Sequence, residues 1–295
     1  MKRRDFIKNI AAGSIFLNLN PGLFAQEKTI PDLAVIQGES PSQITKEAIS
    51  ALGGMNRFIS KGDEVLIKPN IGWDRTPEQA ACTNPEIVKT LVELCFEAGA
   101  KKVKVMDHPC NPAQRTYVRS GIAKAAKEAG ADVPFPNEHK LKKVPLHGQH
   151  IKEWEVYRDF LETDKIINVP ITKHHSLSRL TLGMKNWLGA LGGNRNQLHQ
   201  DLDYAIVDLA AFFMPVLSFL DAYRILYRNG PQGGRLSDVR LYKTVVAGVD
   251  YVAVDRMGAH FMDMSQEELT YLKIANKRGL GEVDLEKLKI EKRKI

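Results

Sequence analysis

Between residues 170 and 193 the chain runs PITKHHSLSRLTLGMKNWLGALGG, placing Lys173, His174, His175, Arg179 and Lys185 among apolar residues and four glycines. Cations held beside apolar surface suit an anionic guest, a carboxylate or a phosphate. An imidazole near its ordinary pKa can move protons in either direction at neutral pH. If a helix begins near Ser178 or Thr181, residues four apart share a face and stack Thr181, Lys185 and Gly189, while Met184, Trp187, Leu188 and Leu191 supply the apolar sides. Lys185 then stands one turn inside a helix N-terminus, where backbone amides also attract anions. The competing reading is a basic loop that runs into a core helix with packing glycines.

Polar residues also collect after each buried apolar run: Lys68 and Asn70, Asp107 and His108, Thr172 to His174, Asp221, and Asp250. In open α/β sheets ligands bind outside the carboxyl ends of the strands, so parallel strands would bring all of these to one crevice. There Lys68, Lys173 and Lys185 supply positive charge, and Asn70, Asn186, Thr181 and Gly189 orient the ligand. Adjacent His174 and His175 point to opposite sides of an extended chain, and we assign His174, with Lys185, to the catalytic work. Asp221 or Asp250 would hold a cation or orient His174. In LHQDLDYAIVDL, His199 and Asp203 are four apart, which fits a shared metal, a carboxylate-oriented imidazole or a helix-surface ion pair. With His108 they are the metal-ligand candidates. No Ser stands in a Gly-x-Ser-x-Gly setting, which disfavours serine hydrolysis.

These groups need a frame, and the apolar pattern supplies one. Strand-length runs at LAVIQ (33 to 37), DEVLIKPN (63 to 70), KKVKVMDH (101 to 108), DKIINVP (164 to 170), VLSFLD (216 to 221) and KTVVAGVD (243 to 250) alternate with helical patterns. The helices are expected near 42–59, 85–98, 113–129, 181–191, 197–213 and from 252 onward. This alternation predicts an α/β fold, a mostly parallel Rossmann-like sheet with covering helices. The Pro-rich stretch from 130 to 160, with pieces such as HIKEWEVY, reads as a small inserted hairpin or subdomain in a single domain spanning 26–295.

Composition narrows the function classes. The formal charge is +7, of which Lys2, Arg3, Arg4, Asp5 and Lys8 contribute +3. The remaining basic excess is spread out and ends in KLKIEKRKI, a solvated tail rather than a nucleic-acid surface. Residues 1–25 combine a basic start, a modest apolar stretch and a Pro-Gly break before Ala25, which marks a removable export signal. The apolar stretch is too short and too polar for a stable transmembrane span. Cys82, Cys95 and Cys110 form no close pair, so no iron–sulfur cluster is expected. A Cys82–Cys110 disulfide is left open. A divalent metal or an anionic cofactor is compatible with the polar residues, and neither is identified by them.

The string KRRDFIK resembles a twin-arginine signal, which implies the twin-arginine export machinery as a partner and a periplasmic or otherwise exported location. The stretches VLIKPNIG, DKIINVPITKHHSLSRLTLGMKNWLGALGG, HQDLDYAIVDLA, FLDAYRILYRNGPQGG and VVAGVDYVAVDRMGA resemble the successive motifs of the domain of unknown function 362 family. The resemblance spans roughly Leu33 to Asp284. It marks Lys68, Pro69, Asn70, Lys173, His174, Thr181, Lys185, Asn186, Gly189, Asp208, Asp221, Asp250 and Asp255. The four-Cys segment of many members is lacking here. A more distant similarity to lactate racemase lies in a Lys on a Gly-containing segment after a His-bearing loop, and no cofactor is carried over from it. The resulting expectation is an exported enzyme that binds an anionic small molecule. The alternatives are a non-catalytic module for such a ligand or cofactor, or a metal-dependent enzyme.

Overall fold

A computed structural model of the protein describes residues 30–295, so the export segment expected at 1–25 lies outside the described residues. The strands are β1 (Leu33–Gln37), β2 (Glu64–Pro69), β3 (Lys102–Val105), β4 (Leu141–Pro145), β5 (Glu153–Tyr157), β6 (Lys165–Val169), β7 (Ile171–His175), β8 (Arg179–Thr181), β9 (Leu217–Leu226), β10 (Val239–Gly248) and β11 (Ile290–Lys294). The helices are α1 (Pro41–Ala51), α2 (Pro85–Glu97), α3 (Ala113–Arg119), α4 (Ile122–Glu128), α5 (Arg158–Glu162), α6 (Gly183–Asn186), α7 (Leu202–Phe213), α8 (Tyr251–His260) and α9 (Thr270–Lys277).

The main sheet runs β11-β1-β10-β9-β6-β2-β3, with β7 beside β9 and β8 folded back onto β7. β11/β1, β9/β6, β6/β2, β2/β3 and β7/β9 are parallel, whereas β10 runs antiparallel to both β1 and β9. The sheet is therefore mostly parallel, as the alternating pattern predicts. The β4/β5 hairpin forms a separate two-stranded sheet inside the expected insertion. One apolar core lies between the sheet and α1, α2 and α4, where Ile44, Leu91, Val92 and Ile122 are buried. The other lies under α7, α8 and α9, around Trp187, Phe213, Val254 and Tyr271. Trp187 stacks on Phe213 with ring centroids 4.6 Å apart. Among the described residues no helix is long and apolar enough to cross a membrane.

Local chemistry sets the element ends. Ser40 accepts from Gln43 N to cap α1, and Asn84 accepts from Glu86 N to cap α2, each followed by Pro. The single helix expected over 113–129 is instead α3 and α4, separated at Gly121, whose φ of 74° is left-handed. The helix expected over 181–191 is broken too: Thr181 closes β8, and only the single turn of α6 and a 3₁₀ turn at Trp187–Ala190 follow.

The carboxyl terminus departs most from expectation. KLKIEKRKI is not a solvated tail: Ile290–Lys294 pairs in parallel with Leu33–Gln37, and Arg293 reaches Glu47 on α1. A charged edge strand is easily misread, because charges on an edge discourage further pairing while the backbone still bonds inward. Ending the chain at Lys289 should therefore lower the urea midpoint and produce concentration-dependent association through the bared β1 edge, seen by light scattering. An unchanged midpoint with no association would show that β11 contributes nothing.

Candidate functional site

β2 is buried from Val65 to Pro69, and an unpaired ammonium there would be very costly. Lys68, 0% exposed, lies 2.6 Å from Asp107 Oδ1. Its Nζ also donates to Pro69 O and Asn186 Oδ1, both at 3.0 Å, so all three ammonium hydrogens are used. The second oxygen of Asp107 accepts from Ile71 N at 2.6 Å. Burial pushes the Lys68 pKa below its ordinary value, and the Asp107 charge opposes that shift. Gly189 makes the approach possible, because a Cβ there would run into Asp107 Oδ1 and Lys68 Nζ.

Two amides extend this pair sideways. Asn186 donates to Asn168 Oδ1 at 2.9 Å and accepts from Asn70 Nδ2 at 3.1 Å, while Asn70 Oδ1 accepts from Lys173 Nζ at 2.9 Å. Lys173, 1% exposed, also donates to Ala81 O at 2.5 Å, which leaves one of its ammonium hydrogens unused by these bonds. Burial brings its pKa down to about 8. Lys68, Asp107, Asn70, Asn186 and Lys173, with Lys185, His175, His108 and Arg195, line a cleft of about 600 Å³ at the carboxyl ends of β2, β3 and β7, within the usual range for small-molecule sites.

Lys185 is buried, and its pKa is depressed to about 7, first by burial and then by the Lys173 charge. Its Nζ lies 3.0 Å from His175 Nε2. His175 Nδ1 accepts from Leu177 N at 3.1 Å and Ser178 N at 3.3 Å, and burial with the neighbouring Lys185 charge takes that ring down to about 3. His108 Nδ1 lies 2.7 Å from Leu191 O, so the neutral ring carries its hydrogen there and leaves Nε2 unprotonated. Burial and the nearby Arg195 lower the His108 pKa. Arg195 bonds the carbonyls of His108 and Pro109, both at 2.7 Å, and of Leu188 at 3.2 Å.

The structure brings Lys68, Asn70, Lys173, Thr181, Lys185, Asn186 and Gly189 together, with His108 and His199 on the same cleft. The Thr181 hydroxyl is buried at its wall without a hydrogen-bond partner. His174 is turned away: its Nδ1 accepts from Gly230 N at 3.1 Å, while His175 shares the strand face of Lys173. Asp221 also leaves the set, because β9 continues past it and its oxygens accept from Asn84 N and Tyr223 N. Burial raises its pKa to about 6. Asp250 ends up at the opposite end of the sheet because β10 runs against its neighbours. It caps α8 there, accepting from Val252 N and Ala253 N. Asp203 does not line the cleft, and exposed His199 bonds Asn196 O. Among the described residues no group of three or more His, Cys, Asp or Glu is gathered to hold a metal ion. Cys82 and Cys110 are free thiols, one buried and one exposed.

The amides at the start of α6 do not await an anion either. Asp255, fully buried on α8, accepts from Gly183 N at 2.6 Å and Met184 N at 2.9 Å. Asp208 likewise accepts from the amides of Gln149, His150 and Ile151 and pairs with Arg278, fixing the hairpin loop to α7.

Reading by residue type missed His175 and Arg195. Counting by two from Lys173 would have found His175, whereas nothing in NRNQ marks Arg195. The Lys68–Asp107 pair carries a stability prediction. Lys68→Met strands a buried carboxylate and should cost roughly 3–5 kcal/mol in urea unfolding, whereas Lys68→Met with Asp107→Leu should recover much of that loss. A double variant no better than the single one would show that the pair is not the support.

The chain is 25% identical over 241 residues to the thylakoid-associated protein sll1697 of Synechocystis sp., a match covering 79% of this chain and 73% of that one. Among solved structures it is similar to the lactate racemase apoprotein from Thermoanaerobacterium thermosaccharolyticum, at 14% identity and a TM-score of 0.47. That match covers 81% of this chain but 58% of the racemase. The family model described as Domain of unknown function (DUF362) matches residues 65–260, and the chain belongs to that family.

Proposed function

We propose that the protein is an enzyme whose cleft binds an anionic small molecule, a carboxylate or a phosphate, beside groups able to transfer protons. One observation carries this reading: Lys173, Lys185 and Arg195 share one cleft, and the Asp107 carboxylate that also lines it is already paired with Lys68. An anion entering such a site meets charge that the protein has not neutralised. Asn70 and Lys173 suit its orientation, since Lys173 keeps a hydrogen to donate. Lys68, saturated by its own partners, is better placed as a strut than as a ligand contact. The unprotonated Nε2 of His108 supports a role as proton acceptor, in place of His174.

The depressed lysines give a test with a definite sign. A bound anion favours the ammonium forms, so it raises the pKa values of Lys173 and Lys185 from about 8 and about 7. Binding between pH 7 and 9 should take up protons, and affinity should fall as pH rises through that window. Sulfate and oxalate, whose charges are constant there, stand in for phosphate and carboxylate. Calorimetry in buffers of different ionisation enthalpy reads the uptake, and Lys173→Met should weaken binding at least tenfold, about 1.4 kcal/mol. Binding that is independent of pH and of Lys173 would remove the reading.

We further propose that the chain is exported by the twin-arginine route, on the strength of Arg3 and Arg4 in KRRDFIK. Replacing both by Lys in the full chain should leave the longer precursor inside the cell. Normal export of that variant would refute the assignment.

A further inference from the structure

The hydrogen-bond directions around His175 fix the state of Lys185. Two backbone N–H groups, of Leu177 and Ser178, point at His175 Nδ1, so that nitrogen must be an acceptor. The ring hydrogen of neutral His175 is then on Nε2, 3.0 Å from Lys185 Nζ. An ammonium has no lone pair and could only oppose that N–H with another hydrogen. The contact is a hydrogen bond only if Lys185 accepts, that is, if it is a free amine.

The surroundings agree with the geometry. The charged and titratable groups facing Lys185 are His175 and Lys173 on β7, Cys110 after β3, and Arg195 and His199 in the turn at Arg195–His199. No carboxylate is among them, and burial takes the amine down to about 7. A desolvated lysine beside another cation is the setting in which an amine becomes a nucleophile toward carbonyl carbon.

We propose that Lys185 condenses with the ketone or aldehyde carbon of a 2-oxo acid whose carboxylate is held by the cations of the cleft. This deepens the anion-binding reading and rests on it. The Nζ lone pair forms an N–C bond while the C–O π pair moves to oxygen. Both amine hydrogens leave with that oxygen as water, giving a C=N bond with no oxidant or reductant. His175 Nε2–H is placed to give a proton to the departing oxygen and to regain one from the nitrogen. Burial in the cleft limits return of the water.

The full chain is incubated with pyruvate and reduced with borohydride, then digested and mapped by mass spectrometry. The expected result is a carboxyethyl group on Lys185, absent in Lys185→Arg and suppressed by excess oxalate. Labelling rate should climb with pH to a midpoint well below 10.5, starting from about 7 in the free protein and moved upward by the bound carboxylate, a profile measured on the unaltered protein and so independent of how any variant folds. Labelling of Lys185 no greater than that of surface lysines would overturn the proposal. If sulfate and oxalate bind as described above while Lys185 remains unlabelled, the amine assignment falls and the anion site stands. If neither sulfate nor oxalate binds, the anion site falls as well.

Discussion

The site depends on one buried ion pair. A lysine at the end of a strand covered on both faces is tolerable only when its charge is answered within hydrogen-bond distance, and Asp107 answers that of Lys68 at 2.6 Å. The pair joins the ends of β2 and β3, and through Asn186 it fixes the turn that carries Lys185. It also consumes the carboxylate. Lys173 and Lys185 are left with amides, carbonyls and an imidazole as partners, and their pKa values sink accordingly. The electrostatic character of the cleft follows from this allocation: one lysine is balanced and held as a cation, while two others lack a counter-charge and so give up their protons readily.

A second constraint comes from the far side of the fold. Asp255 reaches from α8 to the first two amides of α6, so the segment bearing Lys185 and Asn186 is held from the C-terminal half of the chain as well as from β2. Its pKa is raised to about 7 by complete burial, and its two backbone bonds oppose that shift. A turn of four residues has little stability of its own. Here its position is set by a carboxyl group 71 and 72 residues later in sequence than the amides it holds.

How much was legible beforehand follows from period and sign. Buried parallel strands announce themselves as continuous apolar runs, and β2 and β6 stand within a residue or two of the expected bounds. Lys68 and Asn70 at the carboxyl end of β2 were legible for the same reason. Strand direction was not: the run that became β10 looks like its neighbours, yet it is antiparallel, and that reversal carries Asp250 to the other end of the sheet. Strand length misplaced Asp221, since β9 continues to Leu226, five residues past the expected end. The choice of His174 over His175 turned on parity within β7, which depends on where that strand is paired. Arg195 is set by loop geometry, which has no periodicity to read.

The direction of β1 has a consequence for attachment. Because β1 and β9 both run against β10, β1 is parallel to the strands whose carboxyl ends form the cleft. Ile30, three residues before Leu33, therefore lies toward the end of the sheet remote from the opening. A tether grafted directly onto Ile30 would therefore start at the end of the sheet opposite the mouth.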